Sequence, residues 1–204
     1  MLDMPKRDRI AERRESTRRE ILDAAWAVAR ESGLATLTLR DVASRVGMQA
    51  PSLYSHFASK NAIYDGMFRQ AWEEFESSSL AVDAALPAHP RAAFKQTMRH
   101  FFEFAVADLA RYQLMNQRIL VDFEPTTEAF APSVRVVERS VQFGQAVGIS
   151  VEDHLIVIAL VSGLINQHYA NDPGGDTYAG LLDRSIDMWA DAVGLPPEDS
   201  PPAM

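Results

Sequence analysis

The sequence predicts an all-helical protein in two parts, a small N-terminal helix-turn-helix unit and a larger C-terminal helical bundle. Apolar residues recur at intervals of three and four along the chain, and the alternating pattern of half-buried strands is absent. Capping residues, Gly and Pro divide these stretches into helices. With 204 residues, 47% of them hydrophobic and 24% charged, the chain has a globular composition and can bury a sizeable core.

The first two helices are bounded by capping residues. Thr17 and Glu20 form a T-x-x-E capping box that predicts the start of the first helix, and Gly33 ends it. Thr38, with Asp41 three residues on, predicts the cap of a short second helix that stops at Gly47. The apolar stripe of this second helix consists of Leu39, Val42, Ala43 and Val46.

A third short helix and a longer fourth helix complete the N-terminal part. Pro51 fits the first turn of the third helix, whose inward face is formed by Leu53 and Phe57. Ser59 predicts the cap of the fourth helix. The inward residues of that helix recur at helical spacing and are Tyr64, Phe68, Ala71 and Phe75. The stretch 77–90 that follows has the composition of a linker.

Longer helices are predicted beyond this linker. Apolar residues at helical spacing mark two of them, first Phe94, Met98, Phe101, Ala105 and Leu109, then Tyr112, Met115 and Ile119. Pro125 breaks the pattern, and Pro132 lies in the first turn or at a kink of a helix that Gly148 ends. Ser150 caps the next helix, which is apolar on all sides over 151–165, and a turn at 171–175 leads into a final helix over about 177–193.

These elements predict a helix-turn-helix domain over residues 14–62 and a second domain over 79–195. The fourth helix, over 59–78, connects them, and flexible tails are expected at 1–13 and 196–204. The net charge of −8 is unevenly distributed, because residues 1–70 carry 12 basic and 9 acidic residues while the rest carry 8 and 19. The N-terminal part is therefore the part suited to meet phosphates.

The composition also excludes several kinds of site and function. The chain has no cysteine, which excludes disulfides, thiolate metal sites and cysteine nucleophiles. A charged N-terminus and a longest apolar run of only Leu155 to Val161 predict neither a signal peptide nor a membrane span, so we expect a cytoplasmic protein. No Ser/His/Asp spacing, phosphate-binding loop or defined carboxylate pair appears, and we expect neither an enzyme nor a cofactor.

The second and third helices are too short to be stable alone, and their short connection predicts a helix-turn-helix packed on the first helix. Once the core has taken their apolar residues, small and polar side chains remain outward at the third helix, namely Gln49, Ala50, Ser52, Tyr54, Ser55 and His56. Such a helix fits the DNA major groove. Backbone N–H groups near Thr38 and Pro51 are expected to meet phosphates, and Lys60 is placed to neutralise one.

A motif of many fixed spacings runs through this segment. Its positions are Gly33, Thr38, Val42, Ala43, Val46, Gly47, Leu53, Tyr54, His56, Phe57 and Lys60. From about Thr17 to Phe75 the chain closely resembles the DNA-binding segment of the tetracycline-repressor (TetR/AcrR) family. Over the remainder the resemblance is architectural, with helices of suitable length and a final pair suited to dimerisation.

The resemblance implies a transcriptional repressor that binds a palindromic DNA operator as a homodimer. It also implies that a small-molecule effector in the C-terminal bundle releases the DNA through movement of the fourth helix. By position, the expected contacts to the DNA backbone are Thr38, Tyr54, His56 and Lys60, and the base-reading candidates are Arg40, Gln49 and Ser52. Ala50 departs from family members that carry a polar or basic residue there, so the operator sequence does not follow. Pro51 and Ser55 complete the expected DNA-binding set.

The segment from Lys6 to Arg19 carries seven basic and three acidic residues. It predicts either an arm that adds phosphate contacts or a solvated tail, and the sequence leaves both open.

The middle helices supply candidate lining for an effector pocket, because such pockets lie between helices and are mostly apolar. The candidates are Phe101, Phe102, Tyr112, Met115, Phe123, Phe130 and Phe143. His154 and His168 lie 14 residues apart on one predicted helix, and no metal site is predicted from them.

The helix over 151–165 needs cover on all sides, which its own domain and a partner subunit would share. Ser162 and Gly163 would let a second helix approach closely. The candidate dimer interface is Ile158, Val161, Ser162, Ile165, Leu182, Ile186 and Trp189.

Two alternatives to a repressor remain at this point. An activator or dual regulator could use the same scaffold. A second alternative is an all-α ligand-binding protein, or an enzyme, whose N-terminal part does not bind DNA.

Overall fold

The computed structural model describes residues 6–199, and all regular secondary structure in that range is helical. The helices are α1 (Lys6–Ser32), α2 (Leu39–Val46), α3 (Ala50–Leu53), α4 (Lys60–Asp83), α5 (Pro90–Val106), α6 (Leu109–Asn116), α7 (Thr127–Ala146), α8 (Val151–Asn171) and α9 (Thr177–Ala192). The predicted fold class, a helix-turn-helix followed by a helical bundle, is confirmed. By their contacts the described residues form two compact units, 6–71 with 110–130 and 72–109 with 131–199.

The core of the first unit is shared by α1, α2, α3 and the first half of α4. Its buried apolar side chains include Ile21, Ala25, Leu34, Leu37, Val42, Leu53, Phe57, Ile63 and Met67. Two polar contacts fix α4 to this core, from the Tyr64 hydroxyl to the Leu34 carbonyl (2.6 Å) and from Trp26 Nε1 to Gln70 Oε1 (3.0 Å). Burial of each large apolar side chain contributes roughly 1.5–3 kcal/mol to this packing.

Helix α1 begins at Lys6, well before the predicted capping box. The Thr17 hydroxyl donates to the Arg13 carbonyl (3.0 Å), as hydroxyls do inside helices, so it caps nothing. The capping-box prediction is wrong because the first turns of α1 carry charged residues without an apolar stripe that would mark them as helical. The apolar period becomes visible only near Ile21.

The predicted tails are described in part. Residues 6–13 lie in α1 and are therefore helical. In the C-terminal segment, the Lys95 ammonium lies 2.6 Å from the Glu198 carboxylate. Residues 1–5 and 200–204 of the predicted tails lie outside the described residues.

Residues 110–130 pack with the first unit, although the sequence placed them in the second domain. Their polar contacts to α4 join Asn61 to the Asp122 carbonyl (2.8 Å), Asp65 to the Thr126 amide (2.7 Å) and Arg69 to Glu128 (2.9 Å). Phe123 packs on Tyr64, with ring centroids 5.6 Å apart. Because α6 ends at Asn116, Ile119 lies in a loop rather than in the predicted helix. The predicted domain boundaries at 62 and 79 remain predictions.

In the second unit, basic residues of α5 face acidic residues of α9. The pairs are Arg91 with Asp191 (2.6 Å), Lys95 with Asp187 (2.8 Å) and Arg99 with Asp183 (2.6 Å). Both sets are spaced by four residues, so each occupies one face of its helix. Arg91 is buried, while the other pairs are half-buried or exposed and contribute little individually.

The second half of α4 is paired with α7 in the same unit. Arg135 binds Glu76 through two bonds (2.6 and 2.7 Å), and Arg139 binds Asp83 (2.7 Å). The pKa of Glu76 is lowered by its hydrogen bonds from Arg135. The predicted linker is therefore too long, since α4 continues to Asp83.

The predicted caps around α7 and α8 are confirmed. Gly148 has a φ of 85° after α7, and the Ser150 hydroxyl accepts a bond from the Asp153 amide (3.0 Å). Pro132 lies inside α7, which begins at Thr127.

In the part of the chain that the structure describes, no single helix is long and apolar enough to cross a membrane. Helices α7 and α8 meet the length and composition criteria only together, as a pair bent by 119°.

Candidate nucleic-acid interface

Helix α2 starts at the predicted cap. The Thr38 side chain accepts a hydrogen bond from the Asp41 amide (3.2 Å), and its hydroxyl donates to the Asp41 carboxylate (2.5 Å). Thr38 itself has extended backbone angles, as an N-cap requires. This exposed hydroxyl lies at the start of the helix, where the backbone N–H groups favour anions.

A tight turn joins α2 to α3. Gly47 adopts a φ of 77°, and the Met48 amide donates back to the Ala43 carbonyl (2.9 Å), which closes the end of α2. The predicted stop at Gly47 is confirmed. Only Gly47, Met48 and Gln49 separate the two helices, and Pro51 lies in the first turn of α3 as predicted. Buried Leu53 attaches α3 to the core.

The structure presents the ten predicted DNA-binding residues at the start of α2, along α3 and its following turn, and at the first residue of α4. The exposed ones are Thr38, Arg40, Gln49, Pro51, Ser52, Tyr54 and Ser55, and the half-buried ones are Ala50, His56 and Lys60. The Tyr54 side chain is 57% exposed, an unusual exposure for so large a ring. Together these residues offer hydroxyl, amide, guanidinium, ammonium and methyl groups, which are the groups that contact phosphates and base edges.

Several of these side chains also have contacts within the chain. The Ser55 hydroxyl donates to the Ser52 carbonyl (2.7 Å). The Lys60 ammonium lies 5.3 Å from the centroid of the Tyr64 ring, so its stem runs back along α4. His56 Nδ1 is buried and has no hydrogen-bond partner among the described residues. The DNA contacts of all ten residues remain predictions.

Two arginines of α1 that the sequence did not single out contact the turn after α3. Arg14 donates to the Ser55 carbonyl (3.2 Å), and Arg18 donates to the His56 carbonyl. The Arg18 guanidinium also lies 4.2 Å from the centroid of the Phe57 ring. The only sequence signal was the basic composition of the segment from Lys6 to Arg19, which does not distinguish these two from their neighbours.

Helix α2 is also paired with α1 on its outer side. Arg45 makes two bonds to the Glu31 carboxylate (2.5 and 2.8 Å). These bonds lower the pKa of Glu31 and raise that of Arg45. Because both side chains are exposed, solvent screening keeps this pair weak.

The predicted effector-pocket residues fall into both units. Phe101, Phe102 and Phe143 belong to the second unit, whereas Tyr112, Met115, Phe123 and Phe130 belong to the first. In the first unit, Phe130 stacks on Phe68 at 6.0 Å between ring centroids, and Tyr112 is buried. Whether any of the seven contacts an effector remains a prediction.

An aromatic cluster occupies the second unit around Phe75. His100 stacks on the Phe75 ring at 5.4 Å, and Phe104 packs at 4.8 Å. His100 Nε2 also lies 3.0 Å from the Ser78 hydroxyl, and burial lowers its pKa. The aromatic rings of Phe75 and Phe104 therefore surround a hydrogen-bonded polar pair, His100 and Ser78.

The two histidines of α8 face the interior of the second unit. His154 Nε2 lies 3.2 Å from the Ser140 hydroxyl oxygen, and burial lowers the pKa of His154. His168 packs against Phe102 and Tyr169, with ring centroids 5.9 and 5.6 Å apart. Among the described residues, no group of three or more His, Cys, Asp or Glu side chains is arranged to hold a metal ion.

The predicted dimer-interface set needs correction. Five of its residues are buried within the second unit and cannot face a partner, namely Val161, Ile165, Leu182, Ile186 and Trp189. Ile158 and Ser162 are half-buried. The exposed apolar side chains of α8 and α9 are instead Val151, Leu155, Ile156, Leu160, Leu181 and Met188. Helix α8 therefore buries one stripe and leaves an apolar stripe open.

The helix-turn-helix and the start of α4 also match a known family. Residues 21–67 match the family model described as bacterial regulatory proteins, tetR family. The helix-turn-helix segment of the chain is therefore similar to the DNA-binding segment of the TetR family. The matched residues run from the first buried residue of the α1 core, Ile21, to buried Met67 of α4.

The chain is also similar to two repressors. The HTH-type transcriptional repressor KstR2 of Mycobacterium tuberculosis is 44% identical over 62 residues, which are 30% of this chain and 31% of KstR2. The chain thus matches about a third of that relative's length. The tetracycline repressor protein class A from transposon 1721 of Escherichia coli is 26% identical over 82% of this chain and 72% of its own.

The whole fold is also similar to solved structures. The crystal structure of the protein SCO4313 superposes with a TM-score of 0.73 and covers 92% of this chain and all of its own, at 18% identity. At that identity the likeness shows the fold alone.

Proposed function

We propose that this chain is a transcriptional repressor that binds a palindromic DNA operator as a homodimer and is released by a small molecule. The observation that carries the proposal is the set of exposed polar and small side chains along α3 and its flanking turns, held on a buried helix-turn-helix core. The similarity to the repressor KstR2 supports repression, and the similarity to the tetracycline repressor supports both repression and a small-molecule effector.

The proposed dimer uses the open stripe of α8 together with α9. Leu155 and Ile156 are 60% and 51% exposed, and Met188 is 64% exposed. Several large apolar side chains exposed on neighbouring helices favour an interface over solvent. A two-fold dimer would present two copies of α3 to two half-sites, which explains how so short a helix gains affinity.

The proposed release works through α4. This helix is continuous from Lys60 to Asp83, contributing residues 60–71 to the first unit and 72–83 to the second. An effector that binds the second unit and shifts α4 would alter the geometry of the two DNA-binding parts of the dimer. Release then requires that the effector favour a dimer geometry that no longer matches the half-site spacing.

The direct test is a gel shift with the DNA upstream of the gene that encodes the chain. We expect a specific complex that weakens steeply as salt rises, because phosphate contacts release counterions. Tyr54→Ala and Lys60→Ala should each weaken the complex about tenfold while the dimer stays intact, and Lys60→Ala should lower the salt slope by about 1.

The matched control is Arg118→Ala, which removes an exposed positive charge from the loop after α6, outside the predicted DNA-contact set and the proposed dimer interface, and should leave DNA binding unchanged. Unchanged affinity in both Tyr54→Ala and Lys60→Ala would refute the contact assignment. A thermal-shift screen of small molecules, followed by a test of each stabilising compound for release of DNA, would identify the effector.

A further inference from the structure

Helix α3 is unusually dependent on support from outside the helix-turn-helix. It spans only Ala50–Leu53, and the next residues continue as a turn, with the amides of His56 and Phe57 both donating to the Leu53 carbonyl (2.9 Å each). A single turn of helix gains little stability from its own hydrogen bonds. The carbonyls of this turn follow the C-terminal end of α3, and the C-terminal end of a helix carries partial negative charge.

Helix α1 supplies the groups that bind these carbonyls. Arg14 and Arg18 lie four residues apart, on one face of α1, and donate to the consecutive carbonyls of Ser55 and His56. Arg18 is half-buried, and its guanidinium plane lies over the ring of buried Phe57. A guanidinium that bonds to a carbonyl and stacks on a ring holds both in a fixed orientation.

We propose that Arg18, assisted by Arg14, is a positioning residue that orients α3 and its following turn for DNA binding. The His56 carbonyl that Arg18 binds belongs to a residue of the predicted DNA-contact set, and Tyr54 lies in the same turn. The charge of Arg18 therefore acts inside the protein and makes no phosphate contact. Arg18 therefore differs from both predictions for the segment from Lys6 to Arg19, which were an arm that contacts phosphates and a solvated tail.

The proposal rests on the proposed function and predicts a signature that a phosphate contact lacks. A phosphate contact weakens binding to all sequences alike and contributes about 1 to the slope of log affinity against log salt. A positioning residue affects the operator complex, where α3 must fit the base edges, and leaves the salt slope unchanged.

The experiment measures the affinity of the full chain for two labelled duplexes between about 50 and 200 mM salt. One duplex is selected by the wild-type chain from a random-sequence library, and the other is its shuffled sequence. Arg18→Met keeps an unbranched apolar stem over Phe57 and removes the donor and the charge. Arg19→Met, at the exposed next position, removes the same charge and serves as the matched control.

We expect Arg18→Met to weaken binding to the selected duplex about tenfold or more, to change binding to the shuffled duplex less than about twofold, and to keep the wild-type salt slope. Arg14→Met should show the same pattern more weakly, and because Arg14 is exposed this variant keeps the proposal testable if Arg18→Met does not fold. Equal weakening on both duplexes with a salt slope lower by about 1 would overturn the proposal. So would an effect no larger than that of Arg19→Met.

Hydrogen exchange separates this inference from the proposed function. Without DNA, Arg18→Met should speed amide exchange at 54–57 and leave the protected amides of α1 and α4 unchanged. If the wild-type chain selects no sequence, the proposed function fails, while faster exchange confined to the turn would still support the positioning role. Unchanged exchange at 54–57 would refute that role even where operator binding is normal.

Discussion

Arg91 is a buried charge of the second unit, and its replacement by Met tests how the α5–α9 contact is stabilised. The side chain is 5% exposed and donates to Asp191 (2.6 Å) and to the Leu195 carbonyl (2.6 Å). Breaking a fully buried ion pair costs about 3–5 kcal/mol because a charge is left unsolvated. Here the Asp191 side chain is 66% exposed, so water solvates it once Arg91 is gone.

Asp187, 3.5 Å from Arg91, is partly exposed and keeps its 2.8 Å ion pair with Lys95. The main remaining loss is therefore at the buried Leu195 carbonyl, which Arg91→Met leaves without this donor. An unpaired buried polar group costs about 1–3 kcal/mol, and Met preserves most of the packing of the stem. We therefore expect the free energy of unfolding to fall by about 2 kcal/mol, which lowers Tm by roughly 4–8 °C in a chain of this size.

Urea unfolding followed by circular dichroism, at one fixed protein concentration because a dimer links stability to concentration, measures this change. The control Asp191→Asn weakens the exposed acceptor and leaves Arg91 bound to the Leu195 carbonyl, so its loss should stay below about 1 kcal/mol. Equal losses in the two variants would refute the reasoning, since they would place the stabilisation in the exposed ion pair.

Three further predictions follow from the same structure. Gly47→Ala should destabilise the chain by about 1–2 kcal/mol in urea unfolding and weaken DNA binding, because a residue with a Cβ is strained at a φ of 77° even where space is open. The control Gly180→Ala, at an open position inside a helix, should leave the free energy of unfolding unchanged or raise it. As pH falls through about 6.5, the stability of the chain should fall, because burial lowers the pKa of His100 and of His154 and the unfolded chain then binds more protons. The double variant His100→Gln with His154→Gln should flatten the pH dependence between about 5.5 and 7.5, and a slope equal to that of the wild type would contradict this. Leu155→Glu should convert the proposed dimer to a monomer in light scattering, whereas Val121→Glu, which changes a 95% exposed side chain of the first unit, should leave the mass unchanged. A Leu155→Glu protein that is still dimeric would exclude this face of α8 from the interface.

Local signals in the sequence predicted the elements that local chemistry determines. Thr38, Gly47 and Ser150 bound helices in the structure as predicted, because caps and left-handed glycines act within a few residues. The start of α1 was missed because its first turns contain no apolar stripe, which was the signal used to predict helices. Arg, Lys and Glu have a high helix propensity and form helix there without such a stripe. The serine-rich end of α4 was assigned to a linker over 77–90, although α4 continues to Asp83 and Asp83 binds Arg139 of α7, which is far along the chain.

Contacts between distant segments were beyond the sequence patterns. Nothing local indicates that residues 110–130 join the first unit, since this depends on Asn61, Asp65 and Arg69 of α4. The faces of α8 were misassigned for a physical reason, because a helix that is apolar all round gives no sign of which stripe is buried. The structure buries the polar His154 and His168 and exposes apolar side chains.

The candidate interface also combines features that local sequence signals predict with features that depend on contacts between distant segments. Exposure of the predicted α3 side chains follows from the local apolar pattern, because Leu53 and Phe57 must turn inward. The roles of Arg14 and Arg18 depend on how α1 packs on the turn after α3. The sequence shows seven basic residues between Lys6 and Arg19 and does not indicate which of them make these contacts.

The central claim is that this chain recognises DNA sequence as a two-fold dimer through α3. Selection of duplexes from a random-sequence library by the full-length chain, followed by sequencing of the bound DNA, tests it most directly. We expect enrichment of one inverted repeat whose half-sites are spaced by about one helical turn of DNA or a multiple of it, and loss of that enrichment in Tyr54→Ala. Recovery of unenriched DNA, or of a single site without two-fold symmetry, would contradict the account.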